Sequence, residues 1–406
     1  MKSNLDKTPI LFLSLILIFA SSSKAQSVIK KIDDTDIAIE ALDKKIQSLQ
    51  KEANVHGLTI SIITRDEILF QKAYGARNIK EDIPLKISDN FYGASLSKPL
   101  FAYIVMNLAE ERIIDLDKPL VEYLDKPLSE YKFQESYEGY QDLANDSRRT
   151  LITARMCLSH SSGLPNWRYI GKYGINMEKE LEIEFSPGSY YSYSGEGIQL
   201  LQFVIEQVSG KPLEELAKKY VFEPFGMNMS SFVWQEKFEG NYAVGHFKKK
   251  KVLGRKKRNR EYAAGSMETT PQDYARFIQA MLNNGNLSKE SFEEMTSSQI
   301  EITSTQQFGT NRFKNTEANK DIELSYGLGW GIYTTPYGKA VFKEGHISGW
   351  EHYTAFYPEN NIAIILMTNS SNGESVFKEI LEIAIGDSWL PWYWQNYFPY
   401  NHEKSQ

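Results

Sequence analysis

The chain has 406 residues, of which 41% are hydrophobic and 24% are charged, so it can form a large folded core and is not expected to be disordered. Its net charge of −6 at pH 7 argues against nucleic acid as the main partner. The single cysteine, Cys157, excludes an intramolecular disulfide. Zinc patterns such as HExxH and CxxC and the nucleotide motifs GxGxxG and GxxxxGK[ST] are missing, so we expect no metal and no cofactor.

The first 25 residues have the pattern of a signal peptide. Lys2 and Lys7 precede the apolar run 10–20, and Ser23-Lys24-Ala25 supplies small residues before a cut at Gln26. The apolar run is too short to span a bilayer, which needs about 20 residues, and no later segment predicts a transmembrane anchor. We therefore expect a periplasmic or secreted protein.

The elements that follow predict an α+β fold with an antiparallel sheet flanked by helices. Residues 34–53 have the spacing of an amphipathic helix, and 57–70 alternate as a hairpin with its turn at Arg65-Asp66. The middle is rich in helices and loops, with one clear helix at 197–208, and residues 326–369 read as strands again. Strands at both ends predict one sheet that is assembled from both termini.

This arrangement predicts a single domain of two parts. The sheet region would comprise residues 26–94 and 262–400, and the inserted, mostly helical region would comprise residues 95–261. No internal repeat or long linker separates them.

Ser95 and Lys98 stand at the start of a long apolar, helix-favouring stretch, FYGASLSKPLFAYIVMNLAEE. Residues three apart in the first turn of a helix share a face, and Pro99 is tolerated only in a first turn, so the helix must begin close to Ser95. A serine needs a base to become a nucleophile, and burial can lower the pKa of a lysine enough to supply one. The N–H groups at a helix start can also stabilise an oxyanion.

The Ser-x-x-Lys spacing is not specific by itself. It also begins at five other serines: Ser21, Ser27, Ser48, Ser129 and Ser375. Ser95 differs from them because small residues precede it, an apolar helix follows it, and further motifs lie downstream.

With those motifs, the chain over roughly residues 52–370 resembles the serine beta-lactamase-related family, which includes class C beta-lactamases, D-amino-acid-releasing peptidases and esterases. Six segments occur in the family's order, namely ASLSK at 94–98, LSHSSGLP at 158–165, PGSYYSYSG at 187–195, AAGSMETTPQDYARF at 263–277, YGLGW at 326–330, and GH at 345–346. The resemblance implies the beta-lactamase/transpeptidase-like fold.

The resemblance also implies roles for individual residues. Ser95 would be the acylated nucleophile and Lys98 its base, while Tyr193 would move protons to the leaving group and activate the deacylating water. His346, Ser348 and Gly349 would line the substrate-binding and oxyanion region, with the N–H groups of Ser95 and Gly349 as the oxyanion donors.

Two positions depart from the family pattern. The tyrosine motif usually reads Tyr-x-Asn, but Gly195 stands where the asparagine amide would contact Lys98 and the acylamide group of a substrate. The third motif carries His346 where beta-lactamases carry the lysine of Lys-Thr-Gly. We therefore expect short aryl esters to be better substrates than penicillins.

Other notable side chains have ordinary structural interpretations. Cys157, between Met156 and Leu158, is expected to be a buried thiol, and His160 is expected to be a hydrogen-bonded structural residue. The basic segment 248–260 lacks interleaved aromatic residues, so we expect a solvated loop more than a polyanion site.

These observations together predict an exported serine hydrolase that acts through an acyl-enzyme on a small ester or amide or a peptide. A beta-lactamase, or a peptidase that releases D-Ala from peptidoglycan, is the alternative. A non-catalytic protein that binds cell-wall peptide is the third possibility. A Ser-His-Asp hydrolase is disfavoured because no GxSxG elbow occurs.

Overall fold

The computed structural model of the chain describes residues 27–133, 138–171, 174–175, 179–247 and 251–401. The predicted signal peptide lies outside the described residues, as do residues 248–250 of the basic segment. Within the described ranges, no helix is long and apolar enough to cross a membrane.

A nine-stranded sheet forms the centre of the fold, and every neighbouring pair in it is antiparallel. In chain order its strands are β1 Gly57–Ile63, β2 Ile68–Asn78, β3 Ile83–Pro84, β4 Ile300–Glu301, β5 Ser325–Tyr326, β6 Gly331–Thr335, β7 Gly338–Ile347, β8 Trp350–Tyr357 and β9 Ile362–Thr368.

The spatial order of the sheet is β4-β5-β6-β7-β8-β9-β1-β2-β3. The C-terminal strands form a meander, and the N-terminal hairpin joins it where β9 pairs with β1, with Ile364 opposite Ile62. The predicted fold class, an antiparallel sheet assembled from both ends of the chain and flanked by helices, is confirmed.

Eight α-helices surround this sheet among the described residues. They are α1 Ile39–Glu52, α2 Ser97–Glu110, α3 Ala154–Leu158, α4 Gly195–Ser209, α5 Leu213–Ala217, α6 Pro271–Leu282, α7 Lys289–Met295 and α8 Phe377–Ile385. A short π-helical turn, Lys218–Phe222, continues α5.

The sheet is buried on both faces because successive side chains of a strand point in opposite directions. Along β9, Ile365 belongs to the core formed with α2 and α6, whereas Ile364 and Leu366 belong to the core formed with α1 and α8. Helices α2 and α6 therefore cover one face, and helices α1 and α8, which lie near the two ends of the chain, cover the other.

The predicted helix bounds differ in two places. The first helix begins at Ile39, not Asp34, because Asp36–Ala38 pairs as a short strand with Val28–Lys30. The helix predicted at 197–208 spans Gly195–Ser209, since Ser194 caps it by accepting the Gly197 N–H at 2.8 Å.

Candidate active site

Ser95 lies in a tight 3-10 turn, Ala94–Leu96, directly before α2. Ala94 has a left-handed φ of 47°, which is uncommon for a residue with a side chain. Ser97 holds the turn, because its hydroxyl donates to the Ala94 carbonyl at 2.6 Å and accepts from the Met267 N–H at 3.1 Å. The backbone of Ser95 is thus fixed, while its side chain remains partly exposed.

Lys98 lies in the first turn of α2 and is only 1% exposed. Its Nζ donates to Ser95 Oγ at 3.1 Å and to the Ala264 carbonyl at 2.6 Å. Burial lowers the pKa of its ammonium, and the nearby Lys343 cation lowers that pKa further. Lys98 is therefore within reach of the Ser95 proton and is poised to accept it.

Tyr193 ends the extended segment that leads into α4, and its side chain is 4% exposed. Lys98 Nζ lies 4.8 Å from the centroid of its ring, and Lys343 Nζ lies 4.7 Å from it. Burial by itself raises the pKa of the phenol, but the Lys343 and Lys98 cations outweigh it and leave the Tyr193 pKa below its usual value.

The pKa values of Lys98 and Tyr193 are thus both below their usual values. Two groups this close titrate as a pair, so one proton can be exchanged between the amine and the phenol. The pair can accept a proton from Ser95 and return one to a leaving group.

Lys343, on β7, is a site residue that the sequence analysis missed. Its side chain is fully buried, and its Nζ lies 2.8 Å from Glu344 Oε1. Burial by itself lowers the pKa of Lys343, but the Glu344 carboxylate and Tyr193 raise it above the usual value. Lys343 therefore remains a cation next to Tyr193.

A sequence signal for this residue exists. Lys343-Glu344-Gly345 reads Lys-x-Gly, the pattern of the Lys-Thr-Gly motif, three residues before the histidine that we assigned to that place. Glu344 also accepts a hydrogen bond from Gln307 Nε2 at 2.6 Å, so the carboxylate beside Lys343 is held from two sides.

The three residues predicted for the third motif are placed differently from Ser95, Lys98 and Tyr193. The His346 side chain is 63% exposed, with its Nδ1 3.6 Å from Glu351 Oε1. Ser348 is exposed, and the N–H of Gly349 donates to Ser371 Oγ at 2.6 Å. The Gly349 N–H is therefore already engaged and cannot stabilise an oxyanion without a change of partner.

The edge of β7 offers other oxyanion donors. Pairing with β6 ends at Phe342, so residues 343–347 of β7 pair only with β8. Gly345 lets the Ser95 turn come close, because a Cβ on Gly345 would lie 3.1 Å from the Gly93 carbonyl oxygen. The Ser95 N–H and an N–H on this strand edge are the candidate oxyanion donors.

His160 packs against the segment that carries Tyr193. It is fully buried, its Nδ1 accepts the Ser194 N–H at 3.2 Å, and its ring lies 4.2 Å from the Tyr193 ring. Burial, together with the Lys98 and Lys343 cations, keeps the His160 pKa well below its usual value, so the ring is neutral. Its contacts are those of the structural residue that the sequence predicts.

Cys157 is also buried, in α3. Burial raises the pKa of its thiol, which makes it a poor nucleophile.

Gly195, the departure from the tyrosine motif, has no room for a side chain. A Cβ there would lie 2.5 Å from the Asn166 carbonyl oxygen and 2.9 Å from the Trp167 ring. The same carbonyl accepts the Gly195 N–H at 2.9 Å, so it is held in place. The indole of Trp167 fills the space next to this position.

We expect Gly195→Ala to lower the free energy of unfolding by about 1–3 kcal/mol, the usual cost of overpacking, because the Asn166 backbone cannot retreat easily. Urea denaturation of both proteins measures this change. Gly254→Ala is the matched control, because a Cβ at Gly254 meets nothing within 4 Å. Equal stability of the two variants would contradict the expected clash.

The described part of the basic segment is not simply a solvated loop. Arg255 is 3% exposed and forms an ion pair with the buried Glu268. The Arg258 guanidinium lies 3.8 Å from the centroid of the Tyr92 ring, and Arg260 Nη2 lies 2.6 Å from Glu138 Oε2. The expectation of a solvated loop is therefore wrong for Arg255 and Arg258, whose side chains are 3% and 16% exposed.

Similarity to known proteins agrees with this fold. Residues 42–386 match the family model described as Beta-lactamase. Penicillin-binding protein 4* of Bacillus subtilis (strain 168) is 25% identical over 352 residues, which cover 78% of this chain and 69% of the relative. Esterase EstB of Burkholderia gladioli is 25% identical over 232 residues, which cover 50% of this chain and 56% of the relative.

A solved structure has the same architecture. The octameric penicillin-binding protein homologue from Pyrococcus abyssi superimposes with a TM-score of 0.67 at 25% identity, covering 86% of this chain and 78% of that chain. Because the family model matches well over half of the sequence and the fold agrees, this chain belongs to the beta-lactamase family.

Proposed function

We propose that the chain is a serine hydrolase that cleaves an ester or amide through an acyl-enzyme on Ser95. One observation carries the proposal: Lys98 Nζ lies 3.1 Å from Ser95 Oγ and also lies over the ring of Tyr193. A nucleophile, a buried amine with a lowered pKa and a phenol with a lowered pKa are groups that can together carry out acyl transfer.

In the acylation step, the Lys98–Tyr193 pair takes the Ser95 proton as Oγ attacks the substrate carbonyl carbon. The oxyanion that forms is stabilised by the Ser95 N–H and an N–H on the edge of β7. When the carbonyl re-forms, the bond to the leaving group breaks and Tyr193 delivers the proton to that group. The acyl group then remains on Ser95 as an ester.

In the deacylation step, the same pair takes a proton from a water molecule as the water oxygen attacks the acyl carbon. Collapse of the second tetrahedral intermediate releases the carboxylic acid and returns the proton to Ser95 Oγ. The side chains end in their starting protonation states, so no cofactor or external reductant is needed.

Lys343 favours a second candidate, a beta-lactamase or a D-Ala-releasing peptidase. A buried cation next to Tyr193 can attract a substrate carboxylate, which these substrates carry. One of the two grounds for expecting a preference for esters, a missing cation, therefore no longer applies. The other ground, the missing amide at Gly195, remains, and rates on nitrocefin and p-nitrophenyl acetate separate the two candidates.

We also propose that the enzyme acts outside the cytoplasm, as a periplasmic or secreted protein. The support is the composition of residues 1–25, which predicts a cleavable signal peptide. The mass of protein purified from the native cell tests this proposal, since removal of the peptide would leave Gln26 as the first residue.

We expect a fluorophosphonate probe to add one adduct to the protein and peptide mapping to locate it on Ser95. Ser95→Ala should lose the adduct and the hydrolysis of p-nitrophenyl acetate, because the remaining groups offer no equivalent nucleophile at that place. Labelling that persists in Ser95→Ala would refute the assignment. A folded protein that binds penicillin reversibly but is never acylated would instead be a non-catalytic cell-wall-peptide-binding protein.

A further inference from the structure

A large cavity opens next to the catalytic turn and has no part in the proton transfers described above. Its volume is about 540 Å³, enough for a ring-sized group, and Tyr92, Gly265 and Ile347 line one part of it. Tyr92 precedes Ser95 by three residues, and Gly265 follows Ala264, whose carbonyl binds Lys98. This end of the cavity lies next to the Ser95 turn, since a Cβ on Gly265 would lie 3.7 Å from the Ala94 carbonyl oxygen.

From there the cavity follows one face of α4. Glu196, Gln199, Gln202, Phe203 and Glu206 all line it, at spacings of three, four and seven residues that place side chains on the same side of a helix. Ten residues of helix correspond to about 15 Å at a rise of about 1.5 Å per residue. The cavity is thus an elongated pocket that leads away from Tyr193.

Aromatic side chains contribute seven of the nineteen residues that line the cavity. The rings of Trp167 and Tyr169 lie nearly parallel, with centroids 5.9 Å apart and an angle of 23° between their planes. The Arg258 guanidinium lies 3.8 Å from the Tyr92 ring centroid. Flat faces of this kind pack best against another planar group.

Much of the charge in the wall is already matched within the protein. Glu196 receives two hydrogen bonds from the buried Arg168 guanidinium, and Glu138 is paired with Arg260. Glu206 accepts hydrogen bonds from Gln202 Nε2 at 3.1 Å and from the Leu213 N–H at 3.0 Å. Aromatic side chains therefore provide most of the apolar surface that a ligand in the cavity can contact.

Trp167 lines this cavity and also lies next to Gly195 of the altered tyrosine motif. Its indole stands 2.9 Å from where a Cβ on residue 195 would lie, the position at which relatives carry an amide for the substrate's acylamide group. Next to Tyr193, the chain thus has the ring of Trp167 at the place where the family's tyrosine motif has a hydrogen-bonding amide.

We propose that this cavity binds the acyl group of the substrate and selects planar aromatic acyl groups, with Trp167 as the residue that determines the specificity. The inference rests on the proposed acyl-enzyme function and adds a substrate class to it.

The kinetic test uses two esters with the same leaving group, p-nitrophenyl phenylacetate and p-nitrophenyl acetate. We expect kcat/KM for phenylacetate to be higher by about tenfold or more, since a ring that fits an apolar pocket discriminates at that level. Trp167→Ala should bring the ratio close to one, and Trp167→Phe should keep part of it because a ring remains.

Trp389→Ala is the matched control. Trp389 is also a partly buried tryptophan next to a tyrosine, with its ring centroid 5.3 Å from that of Tyr337. Unlike Trp167, it does not line the cavity. It should leave the ratio unchanged. Equal kcat/KM for the two esters in the wild-type protein, or a preference that survives in both Trp167 variants, would overturn the proposal.

A binding measurement separates this inference from the proposed function. In Ser95→Ala, calorimetry should find phenylacetate bound about tenfold or more tightly than acetate, without any need for catalysis. If neither ester is hydrolysed but phenylacetate still binds preferentially, the hydrolase proposal fails and the aromatic pocket stands. Equal binding of the two anions counts against the pocket itself.

Discussion

Replacing Lys98 by alanine is expected to abolish acylation of Ser95, with a loss on the order of 10³-fold or more in the rate of reaction with a fluorophosphonate or an aryl ester. The hydrogen bond from Lys98 Nζ to Ser95 Oγ, 3.1 Å long, is the contact through which the serine proton would leave. Stopped-flow measurement of p-nitrophenol release, together with the mass of the protein, gives the acylation rate directly.

Lys98→Arg separates the two ways in which this lysine could act. Arginine keeps the positive charge but does not lose its proton in proteins, so it cannot serve as a base. If Lys98 is the base, the arginine variant should be as inactive as the alanine variant, provided that thermal unfolding shows both to be folded. Near wild-type acylation by Lys98→Arg would mean that the residue acts only through its charge.

The local part of the site could be predicted from the sequence. Ser95 and Lys98 are three residues apart at a helix start that Pro99 helps to define, and the structure brings their side chains within 3.1 Å. Tyr193 was assigned by the order of motifs, and it lies over the same lysine. Short-range spacing and motif order are sufficient to predict that these three side chains lie together.

The sequence offers both Lys343 and His346 for the third motif, and it does not show which of the two side chains points inward from the strand. Side chains alternate along β7, so residues three apart lie on opposite faces, and an assignment shifted from 343 to 346 exchanges a buried residue for an exposed one. Lys343 is fully buried beside Tyr193, whereas the side chain of His346 is 63% exposed. Only the register of β7 in the sheet determines which of the two side chains is buried next to Tyr193.

The structural reason for a glycine at position 195 could not be predicted from the sequence either. The sequence shows that an amide is missing there, but the space is occupied by Trp167, which lies 28 residues earlier in the chain. Likewise, the positions of the cationic side chains in the basic segment could not be predicted. The carboxylates that bind Arg255 and Arg260 belong to other segments, which only the fold brings close to them. Contacts between single side chains from different segments produce no periodic pattern in the sequence.

Lys343→Met is the second substitution with a large expected effect, through the pKa values of its neighbours. The Lys343 cation lowers the pKa of Tyr193 and also that of Lys98. Without it, both pKa values rise, so both groups hold their protons to higher pH and the base form is present only under more alkaline conditions. The acid limb of the kcat/KM profile should therefore move to higher pH, with a loss of about 10²-fold at neutral pH.

Two further variants show whether this loss comes from charge. Lys343→Met leaves the Glu344 carboxylate without its ion-pair partner, so Lys343→Met with Glu344→Gln removes both charges and limits any cost in stability. That double variant should keep the alkaline shift, because the cation is still absent, whereas Lys343→Arg should restore the wild-type profile. If the double variant shows the wild-type pH profile, Lys343 does not tune the Lys98–Tyr193 pair, and its place beside the phenol ring serves packing or substrate binding instead.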